Sequence, residues 1–398
     1  MPGITLQQCP KVYILETHRS KTPDSTLQFI EATKELVGMN SFLDATELDR
    51  IGLPVFTCDR RRPDGSKTSH TGKGVSRTQA QVSLMMEAIE RYSSEFRDEY
   101  RDRLIRGSYQ QLRNQGNTLD PGDLILPGFS DFRVDQELHW VWGFDLRAQE
   151  EILVPASAVY HPFHLDGKSP YKTHTNGLAS GNTMEEAIFH GMTEVIERDA
   201  WSIAQFNSEM NAALVVDDQP EHRFIIDLIT KFEKAAVEVT ARDLTTDIGV
   251  PVIAAFSQDT VHSSLMVFDG FGAHLDPRVA MARALLELAT TRAFFILKHG
   301  FDSLRENLPY YYTEGDLEDP RFYASEQNLL GEMDREYSAD IREDIGTLLK
   351  KLDRCGLART IIVDLTRPDV GMPVVRVIIP GMEVYCFDKQ RKGYRLVR

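Results

Sequence analysis

Glutamates recur at matching positions in two stretches of the chain, and each stretch begins at a glycine. The first stretch runs from Gly74 to Arg91 and the second from Gly181 to Arg198, and both end in Glu-x-Ile-Glu-Arg without a gap. Carboxylates in such numbers are typical of sites for divalent cations, and Mg²⁺ binds through a few carboxylates together with substrate phosphates. The repeat therefore predicts a magnesium site that handles a phosphate-bearing substrate.

Helical geometry, at about 100° per residue, places the acidic side chains of each stretch on one face. The stripe consists of Ser83, Glu87 and Glu90 on the first helix and of Glu186, His190, Glu194 and Glu197 on the second. Like charges at these spacings destabilise an isolated helix by a few tenths of a kcal/mol per pair. For either helix alone a solvated acidic face is the simpler interpretation, but the repetition favours a metal site. His190 is left out of the predicted ligands because a lone histidine is more often packed or hydrogen-bonded.

Two turns that contain glycine precede these helices, at 71–74 and 176–183. The backbone N–H groups and the helix dipole at such turns favour an anion, although the Walker A pattern is absent. A third long helix carries Arg283 and Glu287 at i,i+4 spacing, which is equally compatible with ordinary surface pairing. The turns alone indicate phosphate binding only weakly.

Periodicity and turn residues predict the elements that position these side chains. Predicted helices span Ser25–Val37, Arg77–Arg97, Met184–Glu209, Glu221–Lys234, Pro277–Lys298 and Asp340–Cys355. Predicted strands include Leu138–Leu146, Val237–Ala241, Leu265–Phe268 and Thr360–Asp364. Three further strands should follow Gly-x-Pro, at Val55, Val252 and Val374. Helices and strands mix without strict βαβ alternation, so we expect an α+β (mixed α/β) fold with antiparallel sheets.

Composition excludes several classes of function. The net charge of −15 over 398 residues argues against non-specific nucleic-acid binding, which needs a basic face. The sequence contains no run of about 18 uncharged apolar residues, so no membrane span is predicted. The N-terminus lacks the layout of a signal peptide. The four cysteines are scattered without Cys-x-x-Cys, so we expect neither a zinc site nor disulfides, and a cytoplasmic location.

Together the motifs resemble the YcaO family of ATP-dependent enzymes that activate peptide backbone amides. The family pattern Ser-x3-Glu-x2-Glu-Arg is present from Ser83 to Arg91, and Asn-x3-Glu-x7-Glu-x2-Glu-Arg is present from Asn182 to Arg198. A third helix with Glu287 and Arg292, and a late Arg-Val-Ile-Ile-Pro-Gly-Met-Glu383, also resemble the family. The resemblance implies one YcaO domain over 1–398, with an N-terminal segment 1–70, a nucleotide and Mg²⁺ core 71–300 and a C-terminal part 301–398.

The resemblance also implies roles for individual residues. The implied Mg²⁺ ligands are Glu87, Glu90, Glu186, Glu194 and Glu197. The implied ATP contacts are Lys73, Ser83, Asn182, Arg198 and Arg292. The implied catalytic residues are Glu87, Glu194, Arg198 and Arg292. The cofactors are accordingly ATP and Mg²⁺.

Within the family, the chain looks like the members linked to TfuA proteins. Its ending 392–398 is basic, whereas azoline-forming members commonly have a proline-rich tail, and no appended leader-peptide-binding domain is evident. The resemblance implies thioamidation of a glycine, as in archaeal enzymes that act on the methyl-coenzyme M reductase alpha subunit, with sulfide as nucleophile. Alternatives are an azoline-forming cyclodehydratase and a non-catalytic nucleotide-binding scaffold for a TfuA-like partner. The implied partners are a peptide or protein substrate, a TfuA-like protein and a second copy in a homodimer.

Overall fold

The structure is a computed structural model that describes residues 3–62, 65–207, 212–261, 267–300 and 327–397. No helix within these ranges is both long enough and apolar enough to cross a membrane. Two predicted elements extend beyond the described residues, one helix at 208–209 and one strand at 265–266.

The described part of the chain contains all six predicted helices and two short additional ones. The helices are α1 (Pro23–Ile30), α2 (Arg77–Ser94), α3 (Tyr109–Leu112), α4 (Ala156–Val159), α5 (Met184–Asn207), α6 (Arg223–Lys234), α7 (Pro277–His299) and α8 (Ile341–Arg354). The prediction carried α1 too far, to Val37. Thr22 caps its start, with Pro23 at the first helical position, and after Ile30 the chain tightens into a 3₁₀ turn.

The strands form mainly antiparallel sheets, which confirms the predicted fold class. The strands are β1 (Tyr13–Ile14), β2 (His18–Arg19), β3 (Met39–Asp44), β4 (Val55–Arg61), β5 (Lys67–Lys73), β6 (Ile105–Ser108), β7 (Glu137–Asp145), β8 (Glu150–Pro155), β9 (Leu178–Ser180), β10 (Ala213–Val215), β11 (Val237–Asp243), β12 (Val252–Asp259), β13 (Val267–Ala273), β14 (Gln327–Leu329), β15 (Ile361–Asp364) and β16 (Val374–Ile378). Their sheet orders are β1-β2, β3-β4-β5, β13-β12-β11-β10-β14, and β6-β7-β15-β16-β9 with β8 on β7. Among these pairings β10–β14 is parallel and the others are antiparallel.

Contacts within the chain divide it into two compact units. The first unit comprises Met1–Pro10, Ile89–Asn207 and Asp340–Arg398, and the second comprises Lys11–Ala88 and Ser208–Ala339. In the first unit α5 packs on β9, β16 and α8, and in the second unit α7 packs on β12 and β13. Helix α2 contributes to both units, because the division falls between Ala88 and Ile89.

The same arrangement of two strands and a helix occurs three times. Strands β5, β9 and β13 each lead through a three-residue link, at 74–76, 181–183 and 274–276, into α2, α5 and α7. The last residue of each strand pairs with the valine that follows Gly-x-Pro: these pairs are Val55 with Lys73, Val374 with Ser180, and Val252 with Ala273. The prediction that Gly-x-Pro opens three strands is thus confirmed.

Glycine is required at the start of each Gly-x-Pro turn. Gly52, Gly249 and Gly371 have φ values of 66°, 69° and 70°, in the left-handed region that L side chains seldom adopt. The N–H of the first link residue then donates to the proline carbonyl, at 3.4 Å for Gly74, 3.1 Å for Gly181 and 3.1 Å for His274. These bonds fix where each helix begins relative to its sheet.

The core of the second unit forms around α7. Leu285, Leu288 and Phe295 are fully buried, as the sequence predicts. They belong to a cluster of apolar side chains from α6, α7, β11 and β12. Each such side chain stabilises the folded state by about 1.5–3 kcal/mol through burial, so the packing of this core holds α7 in place.

Candidate functional site

The three helices that follow the repeated turns all begin with a side-chain cap. Ser76 Oγ accepts the Gln79 N–H at 3.2 Å, Thr183 Oγ1 accepts the Glu186 N–H at 3.1 Å, and Asp276 Oδ1 accepts the Arg278 N–H at 3.0 Å. Caps of this kind satisfy N–H groups that have no partner inside the helix. The first residue of each helix is therefore well defined, and positions in the three helices can be compared by their distance from it.

A glutamate occupies the equivalent position in all three helices. Glu87, Glu194 and Glu287 each lie ten residues after the first residue of their helix, which is Arg77, Met184 or Pro277. The sequence shows the repeat only at α2 and α5. In α7 the third copy is hidden because the helix lacks the Glu-x-x-Glu-Arg that makes the first two copies recognisable. The three Gly-x-Pro turns were the signal that would have located it.

In the first unit, three predicted site residues gather around the turn between β9 and α5. Ser180 donates to Glu90 Oε1 from its backbone N–H at 2.8 Å and from its hydroxyl at 2.7 Å. Asn182 Nδ2 donates to Glu186 Oε1 at 3.1 Å, and Glu186 is buried. The turn thus brings Glu90, Asn182 and Glu186 to the N-terminal end of α5, where the helix dipole favours negative charge.

Further along α5, Glu197 and Arg198 follow Glu194 by about one turn. Burial raises the pKa of Glu194 to about 7; Arg198 lowers it and Glu197 raises it. Arg198 Nη2 lies 3.4 Å from Glu197 Oε1, and its guanidinium lies 5.1 Å from the ring of Trp201. Ionising this carboxyl group is costly because it is buried beside another carboxylate. A bound cation would lower that cost.

In the second unit, the predicted residues Lys73 and Glu87 each pair with a neighbour. Lys73 Nζ donates to Glu287 Oε2 at 2.9 Å, and both side chains are partly exposed. His70 Nδ1 lies 3.3 Å from Glu87 Oε1. Ser83 lies one turn before Glu87 on α2 and is partly buried.

Two of the three arginines of α7, Arg283 and Arg292, lie in different surroundings. Arg292, a predicted ATP contact and catalytic residue, is fully buried, and its guanidinium donates to Asp49 Oδ2 at 2.7 Å and to Asp259 Oδ2 at 2.6 Å. Because two buried carboxylates already hold this guanidinium, the position argues against contact with a phosphate. Arg283, one turn before Glu287, has a buried Nε without a hydrogen-bond partner among the described residues.

The predicted ligands suit a magnesium nucleotide chemically. No group of three or more His, Cys, Asp or Glu side chains in the described ranges is arranged to hold a metal ion. All five predicted ligands are glutamates, and carboxylate oxygens are the donors that Mg²⁺ prefers. Two observations fit the site to its ions: a cation would lower the raised pKa of Glu194, and a phosphate oxygen would satisfy the buried Nε of Arg283.

Comparison with known families identifies the chain. A model of the family described as YcaO cyclodehydratase, ATP- and Mg²⁺-binding, matches residues 71–383. The chain belongs to the YcaO family. ATP and Mg²⁺, the cofactors predicted from the sequence, are those of this family, which confirms that prediction.

Relatives of this YcaO protein occur in archaea and bacteria. It is 40% identical over 392 residues to an uncharacterized protein of Methanothermobacter thermautotrophicus, a match that covers 94% of this chain and 97% of that one. It is 28% identical over 389 residues to an uncharacterized protein in the tfuA 3′ region of Rhizobium leguminosarum bv. trifolii, over 92% of this chain and 89% of the relative.

Solved structures confirm the predicted YcaO fold. A YcaO from Methanopyrus kandleri bound with AMPPCP and Mg²⁺ superposes with a TM-score of 0.79 at 30% identity, over 97% of this chain and 98% of that one. A heterocyclase in complex with substrate and cofactor superposes with a TM-score of 0.82 at 25% identity. That match covers 96% of this chain but 54% of the heterocyclase.

Proposed function

We propose that this YcaO protein uses ATP and Mg²⁺ to activate a peptide backbone amide by phosphorylating its oxygen, and that it forms a thioamide on a glycine with sulfide as nucleophile. The observation that carries the proposal is the glutamate at equivalent positions of α2, α5 and α7. The chain that carries these glutamates is 30% identical to a YcaO that binds AMPPCP and Mg²⁺, which supports a nucleotide and Mg²⁺ as their ligands.

The residues divide into two chemical groups. Glutamates would hold Mg²⁺, which neutralises phosphate charge when bound: Glu87, Glu90, Glu186, Glu194 and Glu197. Polar and cationic side chains would contact the nucleotide: Lys73, Ser83, Asn182, Arg198 and Arg283. We assign Arg283 the role first predicted for Arg292. Each guanidinium has one buried nitrogen without a hydrogen-bond partner among the described residues, but Arg283 is partly exposed, whereas Arg292 is fully buried and bound by two aspartates.

The reaction overcomes the resonance that makes an amide a poor electrophile. Hydrosulfide adds to the carbonyl carbon, a C–S bond forms, and the C=O π electrons move to oxygen. That oxyanion attacks the γ-phosphorus of ATP and ADP leaves. The C–O bond then breaks, phosphate departs with the former amide oxygen, and loss of the S–H proton leaves C=S. Such phosphoryl transfer depends mainly on positioning and charge neutralisation, which carboxylates, arginines and lysine supply here.

Two comparisons support thioamidation within the family. The relative encoded in the tfuA 3′ region agrees with the predicted link to a TfuA-like partner, and the archaeal relatives agree with a methyl-coenzyme M reductase substrate. The structural match to a heterocyclase favours a second candidate, azoline formation from Cys, Ser or Thr. The partners we propose are a protein substrate, a TfuA-like protein and a second copy of the chain.

One incubation distinguishes these candidates. The protein is mixed with ATP, Mg²⁺, sulfide and a glycine-containing reductase peptide, with and without a TfuA-like protein, and the product mass and ADP are measured. We expect oxygen replaced by sulfur together with stoichiometric ADP. Loss of water from a peptide that contains Cys, Ser or Thr would instead indicate azoline formation. Nucleotide binding without ADP formation would indicate a scaffold.

A further inference from the structure

A cavity in the first unit lies apart from the residues assigned to nucleotide and metal. Its wall includes the segment 171–176, Val195 on α5, the end of β16 and the turn that follows. It offers about 50 Å³ to the centres of water-sized molecules. One water needs roughly 10–15 Å³ on this measure, so the cavity has room for a few waters or for one ligand of a few heavy atoms. A peptide side chain of ordinary size or a nucleotide would not fit.

Three buried polar atoms of the lining residues have no hydrogen-bond partner among the described residues. They are Asn176 Oδ1, His174 Nδ1 and Tyr171 Oη, and Asn176 is only 5% exposed. Buried polar atoms are nearly always paired with protein or with an ordered small molecule. Because all three residues line one cavity, the unpartnered atoms point to a small polar ligand.

Charge determines which polar ligand suits the cavity. The lining contains no aspartate or glutamate, but it contains the buried Arg391. The guanidinium of Arg391 donates to the carbonyls of Ile125 and Leu124. Fully buried Arg376 likewise donates to the carbonyls of Ala158, Asn176 and His174. Carbonyls satisfy N–H groups of these arginines, and the carboxylates that act on them, Glu194 on Arg376 and Asp388 and Glu383 on Arg391, do not line the cavity. Burial nevertheless holds the pKa of both arginines below its usual value, so their charge is only partly compensated and the cavity favours an anion.

The polar side chains of the lining are neutral donors in this positive environment. Burial, and then Arg376 and Arg391, hold the pKa of His174 well below its usual range, so the imidazole is uncharged and carries one N–H. Burial raises the pKa of Tyr171 to about 12, so its hydroxyl keeps its proton. The amide of Asn176 presents N–H in place of oxygen after a half-turn about its last bond.

We propose that this cavity binds a small monovalent anion, and that in the reaction proposed above the anion is hydrosulfide. The identity of the anion rests on the proposed function, whereas the existence of an anion site does not. Residues of the cavity are close in sequence to residues proposed to bind Mg²⁺ and nucleotide. Val195 follows Glu194, and Asn176 lies in the segment that leads through β9 to the turn with Asn182. It would hold the nucleophile of the amide addition before the peptide binds.

The test removes the polar atoms while keeping the packing. In a double variant, Tyr171→Phe with His174→Phe, both rings remain, including the stacking of residue 174 on Phe387, whose ring centroid lies 5.7 Å away. Asn176→Leu serves as an independent second variant. The control is Tyr160→Phe, which removes a hydroxyl from another buried tyrosine of the first unit that does not line the cavity.

Two measurements are made on each protein. Crystals soaked in bromide are examined by anomalous scattering, and the KM values for hydrosulfide, ATP and peptide are determined. We expect bromide in the cavity of the wild type and of the control, and its loss in the double variant and in Asn176→Leu. In those variants KM for hydrosulfide should rise roughly tenfold or more, with KM for ATP unchanged.

The outcomes separate this inference from the proposed function. An empty cavity in wild-type crystals, with unchanged KM for hydrosulfide in all variants, overturns the anion site even if thioamide forms. Bound bromide with unchanged KM for hydrosulfide supports an anion site and overturns hydrosulfide as its ligand. Bound bromide in a protein that forms no thioamide supports the site and counts against the proposed function alone.

Discussion

Lys73 Nζ and Glu287 Oε2 lie 2.9 Å apart, which joins the end of β5 to the middle of α7 in the second unit. The sequence separates the two residues by 214 positions. Glu287 is the third copy of the glutamate found as Glu87 and Glu194, so the lysine predicted to contact phosphate is held beside a carboxylate equivalent to two predicted Mg²⁺ ligands. This ion pair fixes the end of β5 beside the middle of α7.

Lys73→Met should affect nucleotide use more than stability. Partly exposed ion pairs contribute about 0–1 kcal/mol, so the melting temperature should change little. KM for ATP should rise roughly tenfold because a phosphate contact is lost, whereas Lys298→Met, at an exposed lysine near the end of α7, should leave it unchanged. Wild-type ATP kinetics in Lys73→Met would remove Lys73 from the site.

Arg283 and Arg292 should respond to the same substitution in opposite ways. Arg292→Met leaves Asp49 and Asp259 buried without their shared cation, and removing one partner of a buried pair costs about 3–5 kcal/mol. Arg283→Met should keep the melting temperature and raise KM for ATP strongly. Thermal unfolding and steady-state kinetics on both variants check this. A stable Arg292→Met protein with impaired ATP use, beside an unaffected Arg283→Met, would restore the role predicted from the sequence.

Local sequence patterns predict the long helices and the strands after Gly-x-Pro, but they do not predict contacts between distant residues. Periodicity and turn chemistry predict the six long helices and seven of the sixteen strands in the described residues, among them the three strands after Gly-x-Pro. The remaining strands, such as β1 and β9, are two to seven residues long and have no periodic pattern that singles them out. The burial of Arg292 was not predictable, because its partners Asp49 and Asp259 lie 243 and 33 positions away and no local pattern links them. The spacing of Glu287 from Arg283 and Arg292 is visible in the sequence, but its equivalence to Glu87 depends on the strand pairing that precedes each helix.

Glu194→Gln should stabilise the protein without ligands at high pH. The pKa of Glu194 is raised to about 7 in the folded state, above its value in the unfolded chain. Its contribution is therefore fully present below about pH 4.5 and is lost as the pH rises through 7. At pH 8 the variant should be more stable than the wild type by about 1–3 kcal/mol, and at pH 4 the two should agree.

Denaturant unfolding at both pH values, without Mg²⁺ and nucleotide, measures this difference. Comparing the two proteins at the same pH cancels the titration of all other groups. Added MgATP should stabilise the wild type more than the variant. A variant less stable than the wild type at pH 8 would contradict a raised pKa for Glu194.

The C-terminal segment should matter for stability through one side chain. Leu396 is buried at 1% exposure, whereas Val397 is 77% exposed. Leu396→Ala should lower the free energy of unfolding by about 2–5 kcal/mol, and Val397→Ala should leave it nearly unchanged. Equal effects of the two substitutions in a thermal melt would show that the segment does not pack as described.

The fate of the amide oxygen tests the central claim most directly. A reductase peptide labelled with heavy oxygen at its glycine carbonyl is incubated with the protein, ATP, Mg²⁺ and sulfide, and the released phosphate is analysed by mass spectrometry. If the amide oxygen is phosphorylated, one labelled phosphate should form for each thioamide. Thioamide formation with unlabelled phosphate would contradict the account, because the amide oxygen would then have left by another route.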